Sequence, residues 1–339
     1  MSKKWRYTLF GFLSVLFIAF CFVGWWVYRF NDELSSAHKS KEESRFGKFE
    51  EKAEEKPPEW EGSERVNILL MGGDERGLRE DETARSDSML VASIDPKLKT
   101  IHLFSVLRDT YVDIPGYKNN RANSALQLGG PNLSMLTIGN MLGLDIQYYV
   151  YVDFQGFIKL VDAIGGVDFY VEKDMHWSDS ADEHKYDINL KKGFQHLDGD
   201  KALQYARFRH DRLSDFTRTG RQRELLKAIA DKMQSGWNLV KLPDILGKVT
   251  PYIETNMSSG DILKLSRLGY KSHQAGSVQA PPNELLADEK VGGSSVLAIK
   301  DKEALKAFVQ LTLDKDTSVT AATPSPTPSS SPSGSAGGE

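Results

Sequence analysis

The chain has one cysteine, Cys21, in 339 residues, so intramolecular disulfides are excluded and the fold must rest on its own core. Metal-ligand spacing is missing too: His102, His176, His184, His196, His210 and His273 form no Cys/His cluster of the kind that binds zinc. No Walker loop, no Gly-x-Ser-x-Gly elbow and no dinucleotide glycine fingerprint occurs, so nothing supports a nucleotide-driven mechanism. A strong excess of one charge is also lacking. The formal net charge of -4 gives no general reason to expect nucleic acid as a partner.

What is present begins with an apolar run. Thr8 to Tyr28 contains no charged residue, and about 20 apolar residues suffice to cross a bilayer as a helix. Lys3, Lys4 and Arg6 precede it while Asp32 and Glu33 follow, which places the N-terminus in the cytoplasm. The run ends in Trp25, Trp26 and Tyr28, as an interfacial belt would, and lacks an Ala-x-Ala cleavage site, so it reads as a retained anchor. Phe20 before Cys21 argues against lipoprotein processing. The reading is a cytoplasmic tail over 1–7, one transmembrane helix over 8–30, and everything beyond outside the cytoplasm.

Residues 31–64 are dense in Glu and Lys and carry Pro57 and Pro58 near their end, which predicts a solvated, partly helical stalk. Residues 320–339 are almost entirely Ala, Thr, Pro, Ser and Gly and predict a disordered spacer. Between these flanks, strand-like runs at Val66 to Met71, Met89 to Ile94, Thr100 to Val106, Tyr148 to Val152 and Val167 to Val171 alternate with other signals. Those others read as helices: Asn132 to Leu142, Phe154 to Ile164, Asp198 to Tyr205 and Arg218 to Met233. Such alternation predicts an α/β protein, an α-β-α sandwich with a mixed central sheet. Residues 65–235 hold the main domain. Residues 236–319 carry helix signals at Pro243 to Val249 and Asp261 to Leu268, a strand-like Ser294 to Ile299 and a helix from Asp301 to Leu313, and either complete that domain or form an appendage.

Arginines and aspartates gather at the ends of the strand runs: Asp74 and Arg76, Arg85 and Asp87, Arg108 and Asp109, then Arg207, Arg209, Arg218, Arg221 and Gln222. Ligands of open α/β sheets bind outside the carboxyl ends of strands, where Asp74, Arg108 and Asp153 fall. Arginine offers a planar fork matched to phosphate oxygens, and a carboxylate pair can hold the divalent cation that such a ligand brings. An extended chain would project Arg207 and Arg209 from one face. Arg218, Arg221 and Gln222, three and four apart, share a helical face. Each pattern also has a plain reading, since charged runs are usually solvated surface and Asp74 or Asp87 would serve equally as turn or cap residues. Together they point to phosphate chemistry outside the cytoplasm.

The ordered segments Gly73-Asp74-Glu75-Arg76, Arg85-Ser86-Asp87-Ser88, Ser105-Val106-Leu107-Arg108-Asp109, Arg121-Ala122-Asn123-Ser124-Ala125 with Gly129-Gly130, Val152-Asp153-Phe154, Gly165-Gly166-Val167, Leu197-Asp198-Gly199, Tyr205-Ala206-Arg207-Phe208-Arg209 and Arg218-Thr219-Gly220-Arg221-Gln222 resemble the motifs of the LytR-CpsA-Psr family. Two positions depart from it: Leu107 stands where the family usually has Pro, and Arg121 where it has Lys. The resemblance implies a phosphotransferase that moves a wall glycopolymer, such as teichoic acid, from a polyisoprenyl-pyrophosphate carrier to a peptidoglycan hydroxyl in Gram-positive bacteria. It implies an apolar tunnel for the lipid between sheet and helices, with a magnesium ion, or manganese in its place, at the mouth. It makes Asp74 and Asp87 the metal carboxylates, and Arg85, Arg108, Arg121, Arg207, Arg209, Arg218 and Gln222 the pyrophosphate ligands. Asp87 and Asp109 are candidates for the base that accepts the hydroxyl proton, with Arg108 stabilising charge beside them. A non-catalytic polyprenyl-phosphate receptor or envelope-stress attenuator is the alternative reading.

Overall fold

A computed structural model describes residues 21, 24–36, 39–40, 42–50, 57–74, 82–178, 184, 187–209 and 214–321. In chain order, α1 spans 24–36 and α2 Gly47–Glu50. An antiparallel meander follows, made of β1 (Val66–Gly73), β2 (Ser86–Asp95) and β3 (Thr100–Val106), then short β4 (Thr110–Val112) and β5 (Asn120–Arg121). Helix α3 (Ser124–Leu142) leads into β6 (Tyr148–Asp153) and α4 (Phe154–Ala163). Next come β7 (Val167–Val171), β8 (Met175–Trp177), β9 (Ile188–Leu190) and β10 (Gly193–Leu197), with β7 paired to β10 and β8 to β9. The chain continues through α5 (Gly199–Arg207), α6 (Ser214–Met233), α7 (Gly236–Val240), α8 (Leu242–Val249), β11 (Ile253–Thr255), α9 (Ser259–Lys271) and β12 (His273–Gln279). The hairpin β13 (Leu286–Val291) and β14 (Ser294–Ile299) precedes α10 (Lys302–Ala321).

The six-stranded central sheet runs β11-β6-β1-β2-β3-β12. Strand β1 pairs antiparallel with β2 and parallel with β6, and β3 pairs parallel with β12, so the sheet is mixed, as the sequence predicts. Side chains alternate across a strand, and both sets are apolar here, which requires a cover on each face. On one face Leu69, Met71, Met89, Val91, Phe104 and Tyr151 form a closed core with Leu126, Ile138 and Leu142 of α3 and Leu305, Val309 and Leu313 of α10. The other face carries Ile68, Leu70, Leu90, Tyr148, Val150 and Val152. Leu265 of α9, with Ile262 and Leu268, seals the Ile68 and Tyr148 end of it. Over the remainder stand α4, α5, α6 and α8, which pack mainly on one another through Val161, Ala202, Leu225, Ile229 and Ile245.

From residues 236–319 come β11 and β12, the two edge strands of the central sheet, and α10, whose apolar side chains cover one face. The predicted stalk is corrected in part. Phe46 is 3% exposed and packs edge-on against Tyr151 at 5.1 Å, while Leu34 is 2% exposed. Arg45, Ser44 and Lys39 all engage Glu254, a carboxylate only 2% exposed, with Arg45 Nε at 2.7 Å. The charge-rich composition of this segment thus satisfies a buried carboxylate instead of facing water throughout. Helix α3 also begins before the expected Asn132: its first turns run from Ser124 and a kink at Gly129 and Gly130 joins them to the rest. Among the described residues no helix is long and apolar enough to cross a membrane. Thr8 to Phe20 of the predicted anchor, Arg76, and 322–339 of the predicted tail lie outside the described residues.

Candidate functional site

The gap between the open sheet face and α4–α6 is a cavity of about 460 Å³. Most of its lining is apolar: Leu70, Leu90 and Val150 from the sheet, Phe157 and Leu160 from α4, Leu203 from α5, Leu225 and Leu226 from α6. Charge is confined to one set of lining residues, Asp74, Asp87, Asp153, Arg108, Arg207, Arg209 and Arg218. The arrangement suits an amphiphile with a long apolar body and an anionic head.

Each charged group is carried there by a local feature of the sheet or helices. Strand β1 ends in an irregularity between Gly72 and Gly73, and a Cβ on Gly73 would collide with the Tyr151 ring, so glycine is required to turn Asp74 into the cavity. Asp87 lies near the start of β2, where its Oδ1 accepts from Arg108 Nη1 at 2.7 Å and lies 3.8 Å from Arg209 Nη2. Arg108 lies within a turn closed by Thr110, whose backbone N and Oγ1 both donate to the Leu107 carbonyl at 3.1 and 2.8 Å. That turn forms without the family's proline, because a threonine supplies the second hydrogen bond. Asp153 caps α4 by accepting from Gly156 N at 2.7 Å.

Arg207 and Arg209 do not share an extended segment, contrary to the spacing argument, because the first is helical. Arg207 is the last residue of α5, with its guanidinium 5.2 Å from the centre of the Phe154 ring, and both arginines still reach the cavity. Arg218 and Gln222 point into the cavity from α6, and Arg218 is only 4% exposed. Burial of a guanidinium in an apolar wall is costly unless anionic partners compensate it. Gln222 is held by the Ser88 hydroxyl at 3.0 Å and donates to the Ala206 carbonyl at 3.2 Å.

Four of the predicted residues are placed elsewhere. Arg85, just before β2, is exposed and donates to Gln127 Oε1 at 3.0 Å, and it is not among the lining residues. Arg121 donates to the Ser295 carbonyl at 2.7 Å and pairs with Asp109 at 3.3 Å. Asp109 lies behind Arg108, 3.5 Å from its Nε, so the two predicted groups brace the clamp and do not line it. Arg221, 4% exposed, faces the opposite way from Gln222: it reaches the Phe208 carbonyl and, at 3.4 Å, Glu172. Glu172 also accepts from the Tyr205 hydroxyl at 3.0 Å, and burial followed by that carboxylate pushes the phenol's pKa up. Phe208, between Arg207 and Arg209, is thereby fixed from behind.

Arg223 was not anticipated. It donates to Ser105 Oγ at 2.8 Å on the open sheet face, and burial lowers its pKa. Asp153 as a lining group was visible only as a strand end, and Arg45, which contacts it at 3.4 Å, was hidden inside the predicted stalk. The apolar lining was legible in principle, as the even-numbered set of β1, β2 and β6, but nothing in the pattern separates an open face from a sealed one.

The donor set fits a magnesium ion held jointly with a ligand. Asp74 and Asp87 line the same cavity, and magnesium is usually bound by one or two carboxylates plus substrate phosphates and water. Among the described residues no group of three or more His, Cys, Asp or Glu could hold a metal without such help.

A model of the LytR_cpsA_psr family matches residues 26–312. The regulatory protein MsrR of Staphylococcus aureus (strain COL) is 35% identical over 260 residues, which cover 74% of this chain and 75% of that protein. The polyisoprenyl-teichoic acid--peptidoglycan teichoic acid transferase TagU of Bacillus anthracis (strain CDC 684 / NRRL 3495) is 34% identical over 269 residues, covering 79% and 84%. A solved structure of the LytR-CPS2A-psr family protein YwtF (TagT) with bound octaprenyl pyrophosphate lipid superposes with a TM-score of 0.56 at 27% identity, covering 76% of this chain and 93% of that one.

Proposed function

This chain belongs to the LytR-CpsA-Psr family, and from that premise we propose that it transfers a wall glycopolymer from a polyisoprenyl-pyrophosphate carrier to a peptidoglycan hydroxyl. The observation that carries the proposal is that one cavity joins a large apolar lining to four arginines. A prenyl chain would lie against the first and a pyrophosphate against the second. The name of the relative TagU and the octaprenyl pyrophosphate bound by YwtF support the same class of ligand and reaction.

The acceptor oxygen attacks the phosphorus that carries the glycan, and the bond from that phosphorus to the bridging oxygen breaks. Polyprenyl phosphate leaves with the bridging oxygen, and the glycan ends as a phosphodiester on peptidoglycan. Arg108, Arg207, Arg209 and Arg218 bind the non-bridging oxygens and oppose the charge that builds on the leaving phosphate. The hydroxyl proton passes to Asp87, the one of the two candidate bases that lines the cavity. Asp109 holds Arg108 in place. A magnesium ion on Asp74, Asp87 and the pyrophosphate oxygens would supply further neutralisation of that charge. The same reading places the domain outside the cytoplasm on a single N-terminal span.

A receptor that only senses the lipid would use the arginines equally well, and the name of MsrR keeps that reading in view. The carboxylates favour transfer. Asp74 and Asp87 beside a polyanion weaken plain binding, and they are useful where a cation is recruited or a proton accepted. Incubation of the full-length protein with a lipid-pyrophosphate-linked glycan, peptidoglycan and magnesium should release polyprenyl phosphate, and Asp87→Asn should stop it while lipid binding persists. Tight binding by the unsubstituted protein without release would leave the receptor.

A further inference from the structure

We propose that α7 is a bilayer-contact element, its Trp237 and Val240 seated in the lipid headgroup region beside the N-terminal helix. The inference rests on the single-span reading above. Among the described residues, Trp25, Val27 and Tyr28 on α1 and Trp237 and Val240 on α7 are large apolar side chains left exposed. The two helices, more than 200 residues apart in sequence, are joined by a hydrogen bond of 2.8 Å from Trp26 Nε1 to the Val240 carbonyl. Trp237 is 68% exposed, and it is exposed on a fixed scaffold. Asn238, next in sequence, is 6% exposed and donates to the carbonyls of Ile164 at 3.2 Å and Lys232 at 2.9 Å. One side of α7 is thus bolted to the domain while the other presents a tryptophan and a valine to the surroundings.

Continuity identifies the occupant as lipid. The uncharged run from Thr8 ends at Tyr28, and the last turns of that run carry the aromatic residues that stand beside α7. Tryptophan with its polar N–H is enriched where one end of a side chain is apolar and the other wet, which is the character of a membrane interface. Lys241 lies with Nζ 5.5 Å from the centre of the Trp237 ring, and a lysine so placed reaches its charge toward headgroups while its stem follows the apolar surface. A bilayer contact here would fix the tilt of the whole domain, because α7 follows α6 after a two-residue turn and α6 carries Arg218 and Gln222.

The test uses the full chain with Cys21→Ser, reconstituted in phosphatidylcholine–phosphatidylglycerol vesicles. Single cysteines at Trp237→Cys and Val240→Cys, with Phe194→Cys as an exposed control on β10, carry an environment-sensitive dye. Lipids brominated near the glycerol end should quench the dye several-fold more at 237 and 240 than at 194. Equal quenching at all three sites in vesicle-bound protein overturns the proposal, as does a dye at 237 that is shielded from water yet untouched by brominated lipid, which would place protein there. Loss of the chain from vesicles under an alkaline wash is a separate outcome, and it would remove the single-span reading together with the inference built on it.

Discussion

The two faces of the central sheet are built from the same strands and the same residue types, yet one is closed and the other is the candidate site. Leu69, Met71, Phe104 and Tyr151 are all 3% exposed or less beneath α3 and α10. Leu70, Leu90 and Val150, their neighbours one residue away, face a cavity. The cause lies in the covering helices. α3 and α10 offer apolar side chains to the sheet, whereas α4, α5, α6 and α8 spend theirs on each other and complete a core of their own. A gap between two finished cores can stay open without unfolding either, and its apolar lining suits a prenyl chain.

The largest expected contrast is in stability. Phe104→Ala on the closed face removes a fully buried ring and should cost about 3–5 kcal/mol, whereas Val150→Ala, beside space that already exists, should cost about 1 kcal/mol or less. Urea unfolding of both variants measures it, and similar losses would mean that the cavity closes around its lining in solution. Next come the arginines. Arg207→Ala and Arg218→Ala should each weaken binding of a short-chain polyprenyl pyrophosphate by about 1.5–3 kcal/mol, roughly ten- to a hundredfold, while Lys271→Ala and Lys290→Ala leave it unchanged. Arg207→Lys should restore only part, because a point charge does not reproduce a bidentate fork. Calorimetry with circular dichroism as a folding control distinguishes these cases.

Filling the cavity sharpens the comparison. Extra methylenes in a packed core typically cost about 1–3 kcal/mol, and Val150→Phe should cost less than that because its new ring enters open space. Prenyl pyrophosphate affinity should fall about tenfold in the same variant, a loss of about 1.4 kcal/mol, with inorganic pyrophosphate binding unchanged. If long- and short-chain ligands were affected alike, the cavity would not be where the chain lies.

Much of this was legible in the sequence, and the rest was hidden for identifiable reasons. The strands were found because β-branched and apolar runs were bounded by Gly, Asp or Pro, and Arg108, Asp74 and Asp87 were found because they sat at the ends of such runs. Asp109 carried the same signal, and Arg121 came from the family resemblance, but the two bind each other, since a charge at a strand end can point behind the loop as easily as into the cavity. The Phe46 and Arg45 contacts were masked by composition: a Glu/Lys-rich segment reads as solvated unless its partner, here Glu254 more than 200 residues away, is known. The spacing of Arg207 and Arg209 would put them on one face of an extended chain, whereas α5, capped by Asp198 accepting from Lys201 N at 2.9 Å, runs through Arg207.

The smallest expected effect concerns the helix that seals the other end of the open face. Ser258 Oγ caps α9 by accepting from Asp261 N at 3.1 Å, and Asp261 Oδ2 in turn accepts from Ser258 N at 3.1 Å. Burial pushes the Asp261 carboxyl up, but donation from the Ser258 side chain and backbone and from Tyr148 outweighs it and holds the pKa below its usual value. The Tyr148 hydroxyl, affected by burial and then by Asp261, is pushed up to about 12. Ser258→Ala should therefore cost about 1 kcal/mol. Because the folded state favours the ionised carboxylate, the contribution of Asp261 is fully present above the unfolded pKa of about 3.9 and is lost as pH falls through the lower folded value. The stability gap between the unsubstituted protein and Asp261→Asn should accordingly be constant from pH 7 to about 5 and shrink below about 4, as followed by urea midpoints. A gap that widened on acidification would mean that the carboxylate is held neutral in the fold, and that α9 is sealed over Ile68 and Tyr148 by its apolar face alone.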